Sequence, residues 1–207
     1  MRYLVKEGHH NRPSLPSIHF GIKYLRFRIK FEENCYYPVL DTDDYDLNKG
    51  YGWTYWLIHH NSIRLCWRPD EKLVNRIQLH TYVYNKASEK KVSWSSIFTS
   101  ADGNILSRIK RVVMSRIKSG VRTMNYITTI ETGVWYDIEI KVTEPLNTVS
   151  YLVKTDSGLF LAQTGEKFVM PKFRWGYFAD LFMGGTKPAR QDTVVWIEKI
   201  ESRYSIL

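Results

Sequence analysis

Cysteine is scarce in this chain. Its two copies, Cys35 and Cys66, belong to no CxxC pair and no Cys/His cluster, which excludes a disulfide framework and a thiolate zinc site and leaves both as free thiols. Long apolar runs are missing too, since none approaches the roughly 18 residues of a membrane-spanning helix. The opening stretch MRYLVKEGHHNRPSLPS is polar and puts Pro13 and Pro16 where a secretion signal needs an apolar core, so no export is expected. No repeat of about 20 to 50 residues and no low-complexity tract points to a solenoid or a disordered scaffold. Serine and cysteine nucleophile motifs are absent. So is the ExDxxE-like carboxylate pair of retaining sandwich glycosidases; Asp137 and Glu139 share a face, but on a strand whose outward residues are ordinarily polar. Acidic residues are in deficit, 21 against 30 Lys and Arg, for a net charge of +9. Such a balance suits an acidic partner, whether nucleic acid, anionic glycan or a negative protein surface.

What is abundant is alternation and aromatic side chains. The length of 207 residues fits one large all-β domain, and 7 Trp with 14 Tyr exceed what a core needs, so some rings are expected on a surface that meets something. The plainest signal runs from Ile127 to Val153. Tyr136, Ile138, Ile140 and Val142 alternate with Asp137, Glu139, Lys141 and Thr143; after a turn at 144–147, Val149, Tyr151 and Val153 alternate with Ser150 and Lys154. The period is that of an antiparallel hairpin with one buried face. The phrases from Gly133 to Ile138 and from Asn147 to Tyr151 resemble the central strands of concanavalin-like jelly rolls.

Elsewhere, residues 1–17 read as an extended arm with little to pack, suited to docking on a neighbour. Leu25, Phe27, Ile29 and Phe31 alternate with Arg26, Arg28 and Lys30, a strand whose cationic row suits either an anion or protection of an exposed strand against edge pairing. The acidic turn Asp41, Asp43, Asp44 and Asp46 invites a calcium reading. It fails the EF-hand pattern, because Lys49 stands at the glycine position and Tyr55 at the position of the bidentate Glu, leaving only an irregular calcium site open.

Residues 51–60 and 62–67 predict two strands around a tight link at His59-His60-Asn61, and residues 76–85 a third. Ile63, Leu65 and Trp67, with Ile77, Leu79, Thr81 and Val83, should point inward. Arg64, Arg68, Gln78, His80, Tyr82 and Tyr84 would then share the opposite face, the best candidate for a glycan-binding surface. Between Asp102 and Arg122, Ile105, Ile109, Val112, Val113 and Ile117 recur at helical spacing, predicting an amphipathic helix inserted into the β domain. Its polar side carries Arg108, Lys110, Arg111, Arg116 and Lys118, with no acidic residue from Gly103 to Ile130, which suits a contact with a partner. Further strands are predicted at 91–97, 159–163, 174–183 and 193–202. The expectation is an all-β, two-sheet antiparallel jelly-roll sandwich over residues 18–207, with the basic helical insertion at about 98–125.

Several phrases taken together resemble a family of jelly-roll domains of Bacteroidetes and their tailed phages, including crAss-like phages. They are Tyr45-Asp46-x-Asn48-Lys49, His59-His60-Asn61-Ser62-Ile63-Arg64-x-x-Trp67-Arg68, Leu79-His80-x-Tyr82-x-Tyr84, Met170-Pro171, and Gly184-Gly185 followed by Pro188-Ala189 and Asp192. The resemblance implies a concanavalin-like sandwich without a defined activity, and the segment near 98–125 is extra to it. Gln78-Leu79-His80 and Tyr177-Phe178 are also similar to the strands of an alginate-lyase family. Ala179 replaces that family's lysine and Met183 its proton-transferring tyrosine, and a thioether cannot move a proton.

Three functions follow as expectations. The first is a non-enzymatic structural or adaptor protein of a tailed-phage virion, requiring no cofactor and held to other virion proteins by the arm and basic helix. The second is a lectin-like module for acidic host polysaccharide, and the third a polysaccharide lyase or glycoside hydrolase. Nucleic-acid contact would be non-specific, because no helix-turn-helix, zinc or RRM signature is present.

Overall fold

The computed structural model describes residues 1–11, 17–38, 46–55, 61–86, 120–171 and 174–204. These form a two-sheet antiparallel sandwich of thirteen strands: β1 (Arg2–Val5), β2 (Ile18–Phe20), β3 (Ile22–Phe31), β4 (Asn48–Tyr55), β5 (Ser62–Pro69), β6 (Arg76–Lys86), β7 (Gly120–Thr123), β8 (Tyr126–Glu131), β9 (Trp135–Thr143), β10 (Thr148–Thr155), β11 (Phe160–Lys167), β12 (Trp175–Ala179) and β13 (Thr193–Tyr204). One sheet has the order β1-β13-β3-β9-β10-β11; the other runs β2-β12-β4-β5-β6-β7, with β8 pairing β6 alongside β7. Helical structure among the described residues is confined to two 3-10 turns, Glu33–Cys35 and Glu144–Leu146.

The alternation read from the sequence becomes the layering of the sandwich. Phe27, Ile29 and Phe31 from β3, Ile138 and Ile140 from β9, and Val149, Tyr151 and Val153 from β10 are fully buried against Trp53, Ile63, Leu65 and Leu79 of the opposite sheet. Each such side chain stabilises the fold by about 1.5–3 kcal/mol relative to exposure. Rings mesh across the layer: Phe31 and Trp67 lie 5.2 Å apart, Phe27 and Tyr51 5.3 Å. The Tyr151 hydroxyl crosses the core to donate to the Tyr82 carbonyl at 3.2 Å. The predicted hairpin is present as β9 and β10, and its turn closes at Asn147, left-handed at φ 48°, whose N–H donates to the Glu144 carbonyl at 3.0 Å. Asparagine tolerates that conformation better than other side chains.

Five expectations are corrected. The arm is not free along its whole length, because Arg2–Val5 pairs with β13 and buries Tyr3 and Val5. The cationic row does not guard an edge, because β3 lies inside its sheet between β13 and β9. Residues 120–123, assigned to the basic helical insertion, form β7 against β6, and β8 follows unpredicted. The strand predicted at 174–183 ends at Ala179, and that predicted at 159–163 extends to Lys167. The rest of the insertion, the strand predicted at 91–97, and Arg108, Lys110, Arg111, Arg116 and Lys118 lie outside the described residues. Cys35 and Cys66 are free and buried, and no helix among the described residues is long and apolar enough to cross a membrane.

Candidate functional site

The tight pairing of β5 with β6 does what the alternation anticipated. Arg64 stands opposite Tyr82, Arg68 opposite Gln78, Cys66 opposite His80 and Ser62 opposite Tyr84, so all six predicted glycan-contacting residues share the outer face of the second sheet. That face is not open, however. Arg64, His80, Tyr82 and Tyr84 are each more than 90% buried, and only Arg68 and Gln78 keep partial exposure.

The polar groups of the face are largely committed to one another. Arg64 donates from Nε to the Gly50 carbonyl at 3.0 Å and from Nη2 to the Asp180 carbonyl, and burial lowers its pKa. Arg68 Nε donates to Gln78 Oε1 at 2.9 Å, and Gln78 Nε2 donates to Asp70 Oδ2 at 3.0 Å. Burial alone would raise the Asp70 carboxyl, but hydrogen bonds from Gln78, the Lys72 and Leu73 amides and Thr129 hold it below its ordinary range. His80 packs edge-on against Tyr126 at 5.8 Å. Burial, aided by the Arg68 charge, lowers its pKa to about 4.

Two residues join this face that the alternation of β5 and β6 does not include. Lys49 of β4 stands opposite Cys66, with Nζ 5.7 Å from the Tyr82 ring and 4.8 Å from the Phe182 ring. Arg122 of β7 stands opposite Tyr84, its Cζ 5.6 Å from that ring. Lys49 falls within the failed calcium motif and Arg122 at the end of the predicted helix; the period-two spacing of β4 is the signal that identifies the former. The result is a cationic, ring-lined patch whose one thiol, Cys66, is fully buried, its pKa pushed up by burial to about 12. Tyr177, the lyase-like tyrosine, lies on β12, separated from β6 by β4 and β5, roughly 14 Å across the strands. Ala179 and Met183 are buried.

The outer face of the first sheet is charged but balanced. Arg26 Nη2 pairs with Asp137 Oδ2 at 2.7 Å and Lys154 Nζ with Glu139 Oε1 at 2.8 Å, while the Tyr24 hydroxyl donates to Glu139 Oε2 at 3.1 Å. The two carboxylates on β9 therefore neutralise the flanking cations. Of the calcium candidates, Asp46 is exposed; Asp41, Asp43 and Asp44 lie outside the described residues. Among those residues no cluster of three or more His, Cys, Asp or Glu side chains is arranged to hold a metal.

No protein-family model and no curated protein matches the chain. Solved structures do. A functionally unknown protein from Saccharomyces cerevisiae superposes with a TM-score of 0.50 at 9% identity, over 99% of this chain and 88% of its own. The binding domain of botulinum neurotoxin serotype G gives 0.44 at 10% identity, over all of this chain but 40% of the toxin chain. The CBM2 module of the evolved Dit of Lactobacillus casei BL23 phage J-1 gives 0.35 at 8%, over 96% of this chain and 76% of that one. At 9% identity the yeast protein shares the fold with this chain and nothing more.

Proposed function

We propose that the chain is a non-catalytic structural or adaptor module of a tailed-phage particle, joined to neighbouring subunits through its sheet edges. The observation that carries this reading is the set of apolar side chains exposed at two sheet edges. Terminal strand β2 exposes Ile18 at 62% and Phe20 at 66%, and terminal strand β11 together with the residue before it exposes Leu159 at 65%, Phe160 at 56% and Leu161 at 37%. Apolar side chains exposed along an edge strand favour recruitment of another chain. In this reading the basic residues Arg108 to Lys118 supply a second attachment, and the resemblance of the motif set to phage jelly-roll domains supports the setting. Mass spectrometry of purified particles tests it together with the variant Phe20→Lys/Phe160→Lys. The chain should be present, and the variant should incorporate several-fold less. Absence from particles, or incorporation of the folded variant at the wild-type level, would refute the proposal.

A second reading, recognition of acidic surface polysaccharide, is favoured by the exposed Arg122 and the half-buried Lys49 beside the covered tyrosines. It requires salt-sensitive binding of an anionic glycan, and Lys49→Ala with Arg122→Ala should abolish that binding.

A further inference from the structure

The outer face of the first sheet carries a row of side chains that none of these readings uses. Arg2 of β1 pairs with Trp196 of β13, Trp196 with Lys30 of β3, and Lys30 with Trp135 of β9. Their core-facing neighbours Tyr3, Val195, Ile29, Phe31 and Tyr136 are buried, so the row itself points away from the core. Four adjacent strands thus present cation, indole, cation, indole in a straight line. The Lys30 ammonium sits between the two rings, 5.6 Å from the Trp196 centroid and 5.8 Å from that of Trp135, and Arg28 Cζ lies 5.1 Å from Trp135. Both indoles are partly exposed. They stand two strands apart, roughly 9.5 Å. Beside Trp196 opens a groove of about 480 Å³ lined by Arg2, Glu32, Asn34 and Gly133 among others.

The charges of this region decide what kind of ligand it fits. Lys30 pairs with Glu32 at 2.9 Å, and Arg28 pairs with Glu198 at 3.4 Å and also with Asp156. Lys30 and Arg28 are thereby neutralised at close range, so a polyanion gains little from them. What remains are two partly exposed indoles, held in place by the cations over them, and a surrounding set of donors and acceptors. Indole faces are electron-rich and attract weakly positive C–H groups, while ion-paired carboxylates and guanidinium groups still offer lone pairs and N–H to hydroxyls.

We propose that the Arg2–Trp196–Lys30–Trp135 row is a binding platform for a neutral, hydroxyl-rich polysaccharide laid across the strands, with one sugar ring on each indole and the groove beside Trp196 taking the continuing chain. The site lies on the opposite sheet from the β5–β6 face and does not depend on the adaptor reading.

Affinity electrophoresis of the full chain tests it, in gels containing β-glucan, xyloglucan, galactomannan or dextran, with alginate and heparin as charged counterparts. At least one neutral polymer should retard the chain, equally at 50 mM and 500 mM salt, because paired charges and ring stacking are little screened. Trp135→Ala and Trp196→Ala should each weaken that binding by about tenfold or more. Arg122→Ala, on the other sheet, should leave it unchanged. Trp135→Phe serves where the alanine variant fails to fold, and should bind more weakly than wild type while keeping the native circular dichroism spectrum. Retardation by no neutral polymer, binding confined to alginate or heparin and lost at high salt, or binding indifferent to both tryptophans would each overturn the proposal.

Discussion

Acid should unfold this protein through two buried histidines before its carboxylates protonate. His19 is 2% exposed; its Nε2 lies 3.0 Å from the Thr54 carbonyl, to which it donates in the neutral tautomer, while Nδ1 has no partner. Its ring meets Tyr55 and Phe178 edge-on. Burial, against a raising contribution from the Thr54 hydrogen bond, lowers its pKa from 6.5 to about 4. His80, with Nε2 unpartnered, is lowered from 6.5 to about 4 by burial and by Arg68. A base whose folded pKa is depressed stays neutral in the native state while the unfolded chain takes up a proton. Stability is therefore intact above pH 6.5 and falls as the pH drops towards 4. With these values each histidine costs about 2 kcal/mol on going from pH 7.5 to 5, about 4 kcal/mol for the pair, a large share of the stability of an ordinary domain. Urea unfolding followed by tryptophan fluorescence from pH 7.5 to 4.5 measures it. His19→Gln keeps a donor for Thr54, and together with His80→Gln it should flatten the slope between pH 6.5 and 5. A wild-type stability unchanged from pH 7.5 to 5, or an equal slope in the double variant, would refute the reasoning.

Other consequences are more local. Gly176 of β12 lies so close to β4 that a Cβ would sit inside van der Waals contact with the Thr54 carbonyl. Gly176→Ala should therefore cost about 3 kcal/mol or more in urea unfolding, or prevent folding, and a cost below about 1 kcal/mol would mean β4 and β12 are not packed as described. Tyr151→Phe removes the hydroxyl that donates to the Tyr82 carbonyl across the core and should lower stability by about 1 kcal/mol without altering secondary structure by circular dichroism. No change would show that bond to be replaceable.

The parts of this architecture that could be read from the sequence are those governed by local rules. The β9–β10 hairpin was legible because period-two alternation, Pro145 and Asn147 all lie within one short stretch. The common face of Arg64, Arg68, Gln78, His80, Tyr82 and Tyr84 was legible because β5 and β6 are near neighbours in the chain and their link sets the register. What alternation does not contain is the identity of the neighbour on either side. It could not tell that β1 docks on β13 nearly the whole chain away. It could not place β3 inside its sheet, nor match Arg26 with Asp137. Nor could it show that Arg64 and His80 are covered, since a side chain known to leave the core is not thereby known to reach solvent.

The sequence by itself thus determined an all-β sandwich and the faces its strands turn to the core, because these follow from residue spacing and residue chemistry. Tertiary structure alone decided which outward residues meet. It closed over the β5–β6 face and brought Arg2, Trp196, Lys30 and Trp135 into one line. Strands distant in sequence are paired by the burial of their core-facing sides, so what their outward sides build together is settled only when the whole sheet is in place.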